Sequence, residues 1–563
     1  VQALPYLAEY PYECAEQTFS RYYANSLATY IANSDPKIKQ VFDAWKNEPD
    51  GNALKSNLEK NQDLKALLLE ETPWVLQAQN ESERKRRVAL LFDFNQMQMQ
   101  TRSALNKLKK MQVSNGAWPW FEGMPEDRYI TQHIVGGIGH LDKLGVVDID
   151  KNNDLQSICK NAIGYIDNKL VKDYQYLKKY YTAEEMKAMH IGYTQIHYLY
   201  VRSFFINRYP IDNGTRDAFE YYLGQGEKYW LQNSRYMQGM LALSLNRYDR
   251  MSTAKAIIAS LKENALQSEE MGMYWKSNSG YYWYEAPIET QSLMIEAFDE
   301  VSNDSLAVEE MQIWLLKQKQ TQDWKTTKAT ADAIYALLLK GTSLLANDQP
   351  VEITMGDIKI NPFGMKDLKP EAGTGYFSMS WTGAEIKPKM GDITVRKAGK
   401  GIAWGAVYWQ YFEQLDKITG FEETPLKINK LLFVEQRKDG KTVMAPVSEK
   451  ATLKVGDRVI VRIEIRVDRD MQYVHLKDMR AACFEPESVF SGYRYSGGLG
   501  YYQSIRDASM NFFISYLNKG TYVFEYPLVV SQKGEFSNGI TSMQCMYAPE
   551  FSSHSQGIRV KVE

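Results

Sequence analysis

The chain has 563 residues, too many for one hydrophobic core, and its length alone predicts about three or four domains. Its 67 Lys and Arg nearly balance 69 Asp and Glu, so no electrostatic attraction to nucleic acid or acidic lipid is implied. Only Cys14, Cys159, Cys483 and Cys545 are present, which excludes a disulfide-stapled scaffold. No run of apolar residues is long enough to span a membrane, and no signal-peptide pattern opens the chain.

The first stretch with chemistry in it is Pro11-Tyr-Glu-Cys14-Ala-Glu16-Gln17-Thr18, followed by an aromatic helix over Phe19 to Tyr30. Residues three apart face each other on a helix, so the Cys14 thiol lies within reach of the Gln17 carboxamide. Attack of sulfur on the Gln17 side-chain carbon, with loss of ammonia, would give an internal thioester, a far stronger acyl donor than an amide. The plain alternative is a buried, inert cysteine and a chance C-x-x-Q spacing. Further on, Arg84-Lys-Arg-Arg87 follows Glu81 and Glu83 and reads as a solvated helix face.

From residue 13 to about 340 the helical period dominates. Four threonines, Thr131, Thr194, Thr290 and Thr330, each open an apolar-periodic run and predict N-caps. Aromatic turns precede three of them, at Gly116 to Phe121, Tyr281 to Tyr284, and Trp324. Each run has an amphipathic partner before it, such as Ala104 to Met111 or Glu309 to Gln318. Paired helices repeating in this way form an array, either an open solenoid or a closed barrel. Asp148-Ile-Asp150-Lys-Asn152-Asn-Asp154 has neither the glycine at its sixth position nor the carboxylate at its twelfth that a calcium loop needs. It reads as a polar loop capping a helix that begins near Leu155.

Near residue 345, after Lys340-Gly-Thr-Ser and Asn347-Asp-Gln-Pro350, the period changes to two. Strands are predicted at Val351 to Met355, Tyr376 to Trp381, Ile393 to Arg396 and Ile402 to Tyr411, forming a small β domain that ends near Gly420. A second set, Val459 to Val467, Val474 to Met479, Phe512 to Leu517, Thr521 to Val530 and Ile558 to Val562, predicts a sandwich. Cys483 and Cys545 fall in strand-like runs there, where a disulfide and two separate buried thiols both remain open.

The Cys14-Ala-Glu16-Gln17 stretch resembles the C-x-E-Q thioester motif of the α2-macroglobulin and complement family. The preceding Pro-Tyr and the following aromatic helix sharpen the likeness. Animal members carry glycine before the cysteine, where this chain has Glu13. Trp314-Leu-Leu-Lys-Gln with Trp324-Lys-Thr-Thr-Lys-Ala-Thr, and Asn115-Gly-Ala-Trp118 with Tyr129-Ile-Thr131, look like helical hairpins of the family's thioester domain. Lys519-Gly-Thr-Tyr-Val-Phe-Glu-Tyr526, Gly534-Glu-Phe and Met546-Tyr-Ala-Pro-Glu550 are similar to the C-terminal macroglobulin domain of bacterial members.

The resemblance implies a multidomain α plus β chain: an α/α toroid over 1–343, a small β domain over 344–422 and a C-terminal macroglobulin-like β-sandwich over 423–563. It implies a protease inhibitor, not an enzyme. A target protease is trapped through its lysine amines by the Cys14–Gln17 thioester, with Glu16 as motif support and with no cofactor and no metal. In some members an imidazole takes the acyl group first; His190 is the leading candidate for that role by repeat order, with His133 second. Partners are target proteases and upstream macroglobulin domains of the same chain, with no nucleic acid and no direct membrane contact in this part. Location in the periplasm or cell envelope is implied, with Val1 lying just after a cut and the missing N-terminal part carrying the targeting signal or a lipid anchor.

Tyr10, Tyr12, Phe19, Tyr22 and Tyr23 would keep water from the thioester. Two other readings are open to the sequence. A glycan-active toroid would draw its carboxylates from Glu122, Asp127, Glu285 and Glu289, and a structural or adhesive envelope module would have no thioester at all. Terpene-cyclase and prenyltransferase chemistry is set aside because no D-x-D-D or zinc-ligand spacing occurs.

Overall fold

The computed structural model describes residues 14–34, 94–276, 287–321, 324, 326–339, 351–362, 365, 375–398, 403, 405–409, 411–421, 423–447, 452–546, 548 and 550–563. Tyr10, Tyr12, Glu13, the basic run at 84–87, the turn at 281–284, Glu285 and the change of period at 340–350 lie outside the described residues. The described residues fall into two compact units, one up to 317 together with 324–403, the other from 405 onward with 318–321.

The first unit is mainly helical. Its helices are α1 (Ala15–Ser34), α2 (Phe94–Met111), α3 (Arg128–Lys143), α4 (Asn153–Tyr180), α5 (Tyr193–Ser203), α6 (Asn213–Tyr229), α7 (Arg235–Arg247), α8 (Met251–Glu263), α9 (Pro287–Ala297), α10 (Ser305–Thr321) and α11 (Thr327–Leu338). Odd-numbered helices pack in succession: α1 on α3, α3 on α5, α5 on α7, α7 on α9, α9 on α11. The last then returns to α1. The even-numbered α2, α4 and α8 pack on α1, α3 and α7 respectively. That two-layer order explains the burial, since α5, α7, α9 and α11 are apolar around much of their circumference and enclosed on most sides.

Short polar side chains start these helices. Asp127 accepts from the Ile130 amide, Asn152 from Asp154 and Leu155, Asp212 from Thr215, and Thr326 from Ala329. The threonines singled out in the sequence are therefore not the caps. Thr131 and Thr330 sit one turn inside, where the hydroxyl bonds a preceding carbonyl, that of Asp127 at 2.7 Å and that of Trp324 at 3.0 Å. Two hairpins interrupt the helices, β1 (Trp118–Pro119) with β2 (Glu126–Asp127) and β3 (Leu266–Ser268) with β4 (Gly272–Tyr274). Trp118 is fully buried, its indole N–H bonded to Leu108 O. Gly116 beside it has φ +92° and lies so close to the Asn161 carbonyl that a Cβ would overlap it.

Three strands, β5 (Glu352–Met355), β6 (Ile358–Ile360) and β7 (Ile393–Arg396), form a small antiparallel sheet in order β6-β5-β7. The runs at 376–381 and 402–411 are not strands among the described residues. Their alternation has no partner ladder, and Tyr376, Tyr408, Trp409 and Tyr411 stand exposed.

The second unit is built from β8 (Leu426–Lys438), β9 (Lys441–Pro446), β10 (Arg458–Val467), β11 (Met471–Met479), β12 (Phe484–Pro486), β13 (Gly492–Ser496), β14 (Leu499–Ile505), β15 (Ser509–Leu517), β16 (Gly520–Val530), β17 (Gly534–Gly539), β18 (Thr541–Cys545), β19 (Ser552–His554) and β20 (Ile558–Val562). A five-stranded sheet runs β12-β16-β10-β8-β9 and a six-stranded one β13-β14-β15-β11-β18-β19. Their inward residues, among them Ile428, Ile463, Leu476, Phe512 and Met543, share one core. Cys483 and Cys545 are separate buried thiols in it.

Candidate functional site

Cys14 is the residue immediately before α1, and its thiol does what a serine or threonine cap does. Sγ accepts from the backbone N–H of Gln17, three residues on, at 3.4 Å. A capping box places the side chain of that third residue back toward the cap, so C-x-x-Q at a helix start is a sulfur version of S-x-x-Q. The first turn is further fixed by Ala15 N–H donating to Trp120 O at 2.8 Å and Thr18 N–H to Cys14 O at 2.9 Å.

Gln17 is half-buried, yet its side-chain oxygen is sealed from solvent and finds no donor among the described residues. A buried amide oxygen without a donor costs about 1–3 kcal/mol. A thioester carbonyl is a weaker acceptor and loses less there. Cys14 itself is buried, and desolvation pushes its thiol above the ordinary value, with the neighbouring Glu16 carboxylate acting in the same direction. Glu16 is buried too; its Oε1 accepts from Ser20 Oγ at 3.0 Å and from Thr327 Oγ1, on α11, at 2.6 Å.

Around this turn lie residues from the starts of the other odd-numbered helices. The Phe19 ring meets His133 edge-on at 5.9 Å and packs against Tyr22 and Tyr23, all three rings buried. Tyr129 stacks between Trp120 and His133, 6.5 and 6.2 Å from each. Burial pushes the His133 imidazole below its ordinary value; Lys328 adds to this and Glu16 opposes it. His197, on α5, bonds Gln132 at 3.1 Å and is held well below the ordinary value by burial and then by His133.

On α11, Lys328 donates to Asp332 at 2.7 Å and to Tyr236 at 3.1 Å. Asp332 and Glu289 outweigh its burial and keep it an ammonium. Glu289, on α9, is fully buried, with one oxygen 3.4 Å from Thr326 Oγ1 and the other without a donor. Burial pushes its carboxyl up to about 7.

The two histidines named from the sequence part company. His133 stands against the helix that carries Gln17. His190 lies in the segment between α4 and α5, its Nε2 at 2.9 Å from Glu185 O, its amide bonded to Gln225 and its ring 4.6 Å from Tyr181. Repeat order pointed to His190 first; packing favours His133. The carboxylates weighed for glycan chemistry have other occupations: Asp127 caps α3, Glu122 is exposed and Glu289 is enclosed. Sequence reasoning named none of Thr327, Lys328 and Tyr236 as a site residue, although the first two lie in the Trp324 to Thr330 run that resembles a family hairpin. Among the described residues no group of His, Cys, Asp and Glu could hold a metal ion, and no helix is long and apolar enough to cross a membrane.

Residues 426–550 match the family model for the Bacterial Alpha-2-macroglobulin MG10 domain. The sandwich is thus a macroglobulin domain of the bacterial kind. Over these residues the chain is similar to bacterial alpha-2-macroglobulins. Its whole length aligns with 30% of Salmonella alpha-2-macroglobulin reacted with methylamine, at 15% identity and a TM-score of 0.35. Trypsin-activated alpha-2-macroglobulin from Escherichia coli matches 98% of this chain with 32% of its own, at 13% identity and a TM-score of 0.41. Circularly permutated Ras protein 2 of Dictyostelium discoideum is 25% identical over 242 residues, 42% of this chain and 6% of that protein. The chain spans under a third of each of these relatives.

Proposed function

We propose that this chain is the thioester-bearing C-terminal part of a bacterial alpha-2-macroglobulin that traps proteases covalently. The observation that carries the reading is the first turn of α1: Cys14 caps it, Gln17 is the residue a capping box turns back toward the cap, and the Gln17 oxygen is buried without a donor. Cys14 Sγ attacks the Gln17 side-chain carbon; the C–S bond forms, the C–N bond breaks, and ammonia leaves with the thiol proton. A lysine amine of a protease then takes the acyl group, leaving an amide on Gln17 and a free Cys14 thiol. The reaction is single-turnover, which makes the protein an inhibitor and not an enzyme. Of the two candidate imidazoles, His133 is supported by its packing on Phe19 of the same helix as Gln17, while His190 is bonded to Glu185 O.

The same reading takes the helical region as an α/α toroid over 1–343, supported by the closed succession α1-α3-α5-α7-α9-α11, followed by a small β domain over 344–422 and the sandwich over 423–563. Target proteases, upstream macroglobulin domains and a periplasmic or envelope location, lipid-anchored or not, belong to the proposal as well. Intact mass of the natural full-length protein tests it. The expected result is the loss of one ammonia, reversed as methylamine adds at Gln17, and absent in Cys14→Ala. A mass equal to that of the encoded chain, with no methylamine uptake, refutes it.

A further inference from the structure

Three features of the first unit converge on one side chain that the thioester chemistry does not itself use. Glu16 sits between Cys14 and Gln17 in the first turn of α1, is 8% exposed, and directs one carboxylate oxygen at two hydroxyls. One of these, Ser20 Oγ, belongs to the same helix. The other, Thr327 Oγ1 at 2.6 Å, is 311 residues away and belongs to α11, the helix whose return to α1 closes the packing succession.

Thr327 is free for this because its own helix does not need it: the cap of α11 is Thr326, whose hydroxyl accepts from the Ala329 amide at 3.0 Å. Lys328, the next residue, is itself tied to Asp332 and Tyr236, so the first turn of α11 is a fixed support. On its other side the first turn of α1 is held by Trp120 O, through the Ala15 amide. The segment that must bring sulfur and carboxamide together is therefore gripped from two neighbours, by one backbone bond and one side-chain bond.

We propose that Thr327 is a positioning residue for the Cys14–Gln17 pair: its hydroxyl, donated to the Glu16 carboxylate, fastens α11 to the first turn of α1 and keeps the thioester formed and dry. The proposal rests on the thioester reading above. Its chemistry is that of proximity. Bond formation between Sγ and the Gln17 carbon tolerates little misplacement, and a hydrogen bond to a buried carboxylate is among the stronger ones a hydroxyl makes. Separation of α11 from α1 breaks this bond and admits water or an amine at Gln17 in the same movement.

The test compares Thr327→Val, which keeps the shape and deletes the hydroxyl, with Thr327→Ser, which keeps the hydroxyl. Thr326→Ala serves as a control that removes the neighbouring cap of the same helix. All are made in the natural full-length protein, and thiol release in amine-free buffer is followed by thiol titration and intact mass. The expected result for Thr327→Val is release faster by on the order of tenfold, or a correspondingly smaller fraction that has lost ammonia. Thr327→Ser should stay near wild type, and Thr326→Ala should lower the unfolding temperature without matching that acceleration. Wild-type release from Thr327→Val, or equal acceleration by Thr326→Ala, overturns the positioning role while leaving the thioester reading intact. If Thr327→Val does not fold, Thr327→Ala takes its place and is read in the same way: release near that of wild type overturns the role, and release faster by on the order of tenfold upholds it. A wild-type protein that has lost no ammonia and takes up no methylamine overturns both.

Discussion

Lys430 Nζ lies 2.6 Å from Asp478 Oδ1 in the core of the sandwich, with neither side chain exposed at all. Lys430 is on β8 and Asp478 on β11, so the pair joins the two sheets. Further hydrogen bonds surround the pair: Lys430 donates to Met479 O at 2.7 Å, and Asp478 accepts from the hydroxyls of Thr541 and Tyr526. Burial pushes the lysine below its ordinary value, and Asp478 opposes that. Removing one partner strands a charge. Asp478→Ala should destabilise the second unit by about 3–5 kcal/mol, whereas Lys430→Met combined with Asp478→Leu should recover most of it. Denaturant unfolding of the three variants checks this, and a double variant no better than the single one would refute it.

The same lysine shows where sequence reading fails. β8 alternates Leu426, Ile428, Lys430, Leu432, Val434 toward the core. A charged residue in the inward row hides the strand, because its compensation comes from β11 and β16, remote in sequence. Strands with unbroken inward rows, such as Val459 to Val467, were legible. Helix existence was also legible, from apolar period, and the polar loop at 148–154 marked the start of α4, but the threonine-marked starts were not: a threonine inside the first turn and a threonine cap look alike until the carbonyl it bonds is known. At the site, Cys14, Glu16 and Gln17 stood out because three positions within four residues carried the signal. Thr327 and Lys328 did not, since their role depends on a helix returning to its partner after 311 residues.

The start of α3 offers a simpler check. Asp127 accepts from the Ile130 amide at 2.9 Å and is the cap of the helix that bears His133. Asp127→Ala should cost about 1 kcal/mol, and Asp127→Asn only a few tenths of that amount. Equal losses for the two substitutions would point to the carboxylate charge instead of the cap.

Gly137 lies on α3 where Phe19 of α1 crosses it; a Cβ there would stand 2.4 Å from the Phe19 ring. Alanine gains about 1 kcal/mol of helix propensity over glycine. Overpacking costs roughly 1–3 kcal/mol, and the larger figure applies where the ring has nowhere to move. Phe19 is enclosed by Tyr23 and His133, so the clash wins. Gly137→Ala should lower the stability of the first unit and, by displacing Phe19, speed methylamine uptake at Gln17. Unfolding and uptake rates measured together check it; a stabilised variant with unchanged uptake would contradict the packing.

Glu289 sets a pH dependence whose sign follows from its surroundings. Its ordinary value of 4.5 is raised to about 7, first by burial and then by Asp332, with Lys328 opposing. The folded chain therefore keeps a proton that the unfolded chain gives up across that window. Stability from this group is fully present below the unfolded value and is lost as pH rises through the folded one. The difference of about 2.5 units corresponds to at most about 3 kcal/mol. Glu289→Gln holds the neutral form at every pH and retains an oxygen for Thr326. Variant and wild type should match near pH 4, and the variant should be the more stable by up to about 3 kcal/mol near pH 8. Urea unfolding of the first unit at both pH values decides it. A variant less stable than wild type at the higher pH would mean that the Glu289 carboxylate is stabilised by Lys328 and that its titration is not raised by burial.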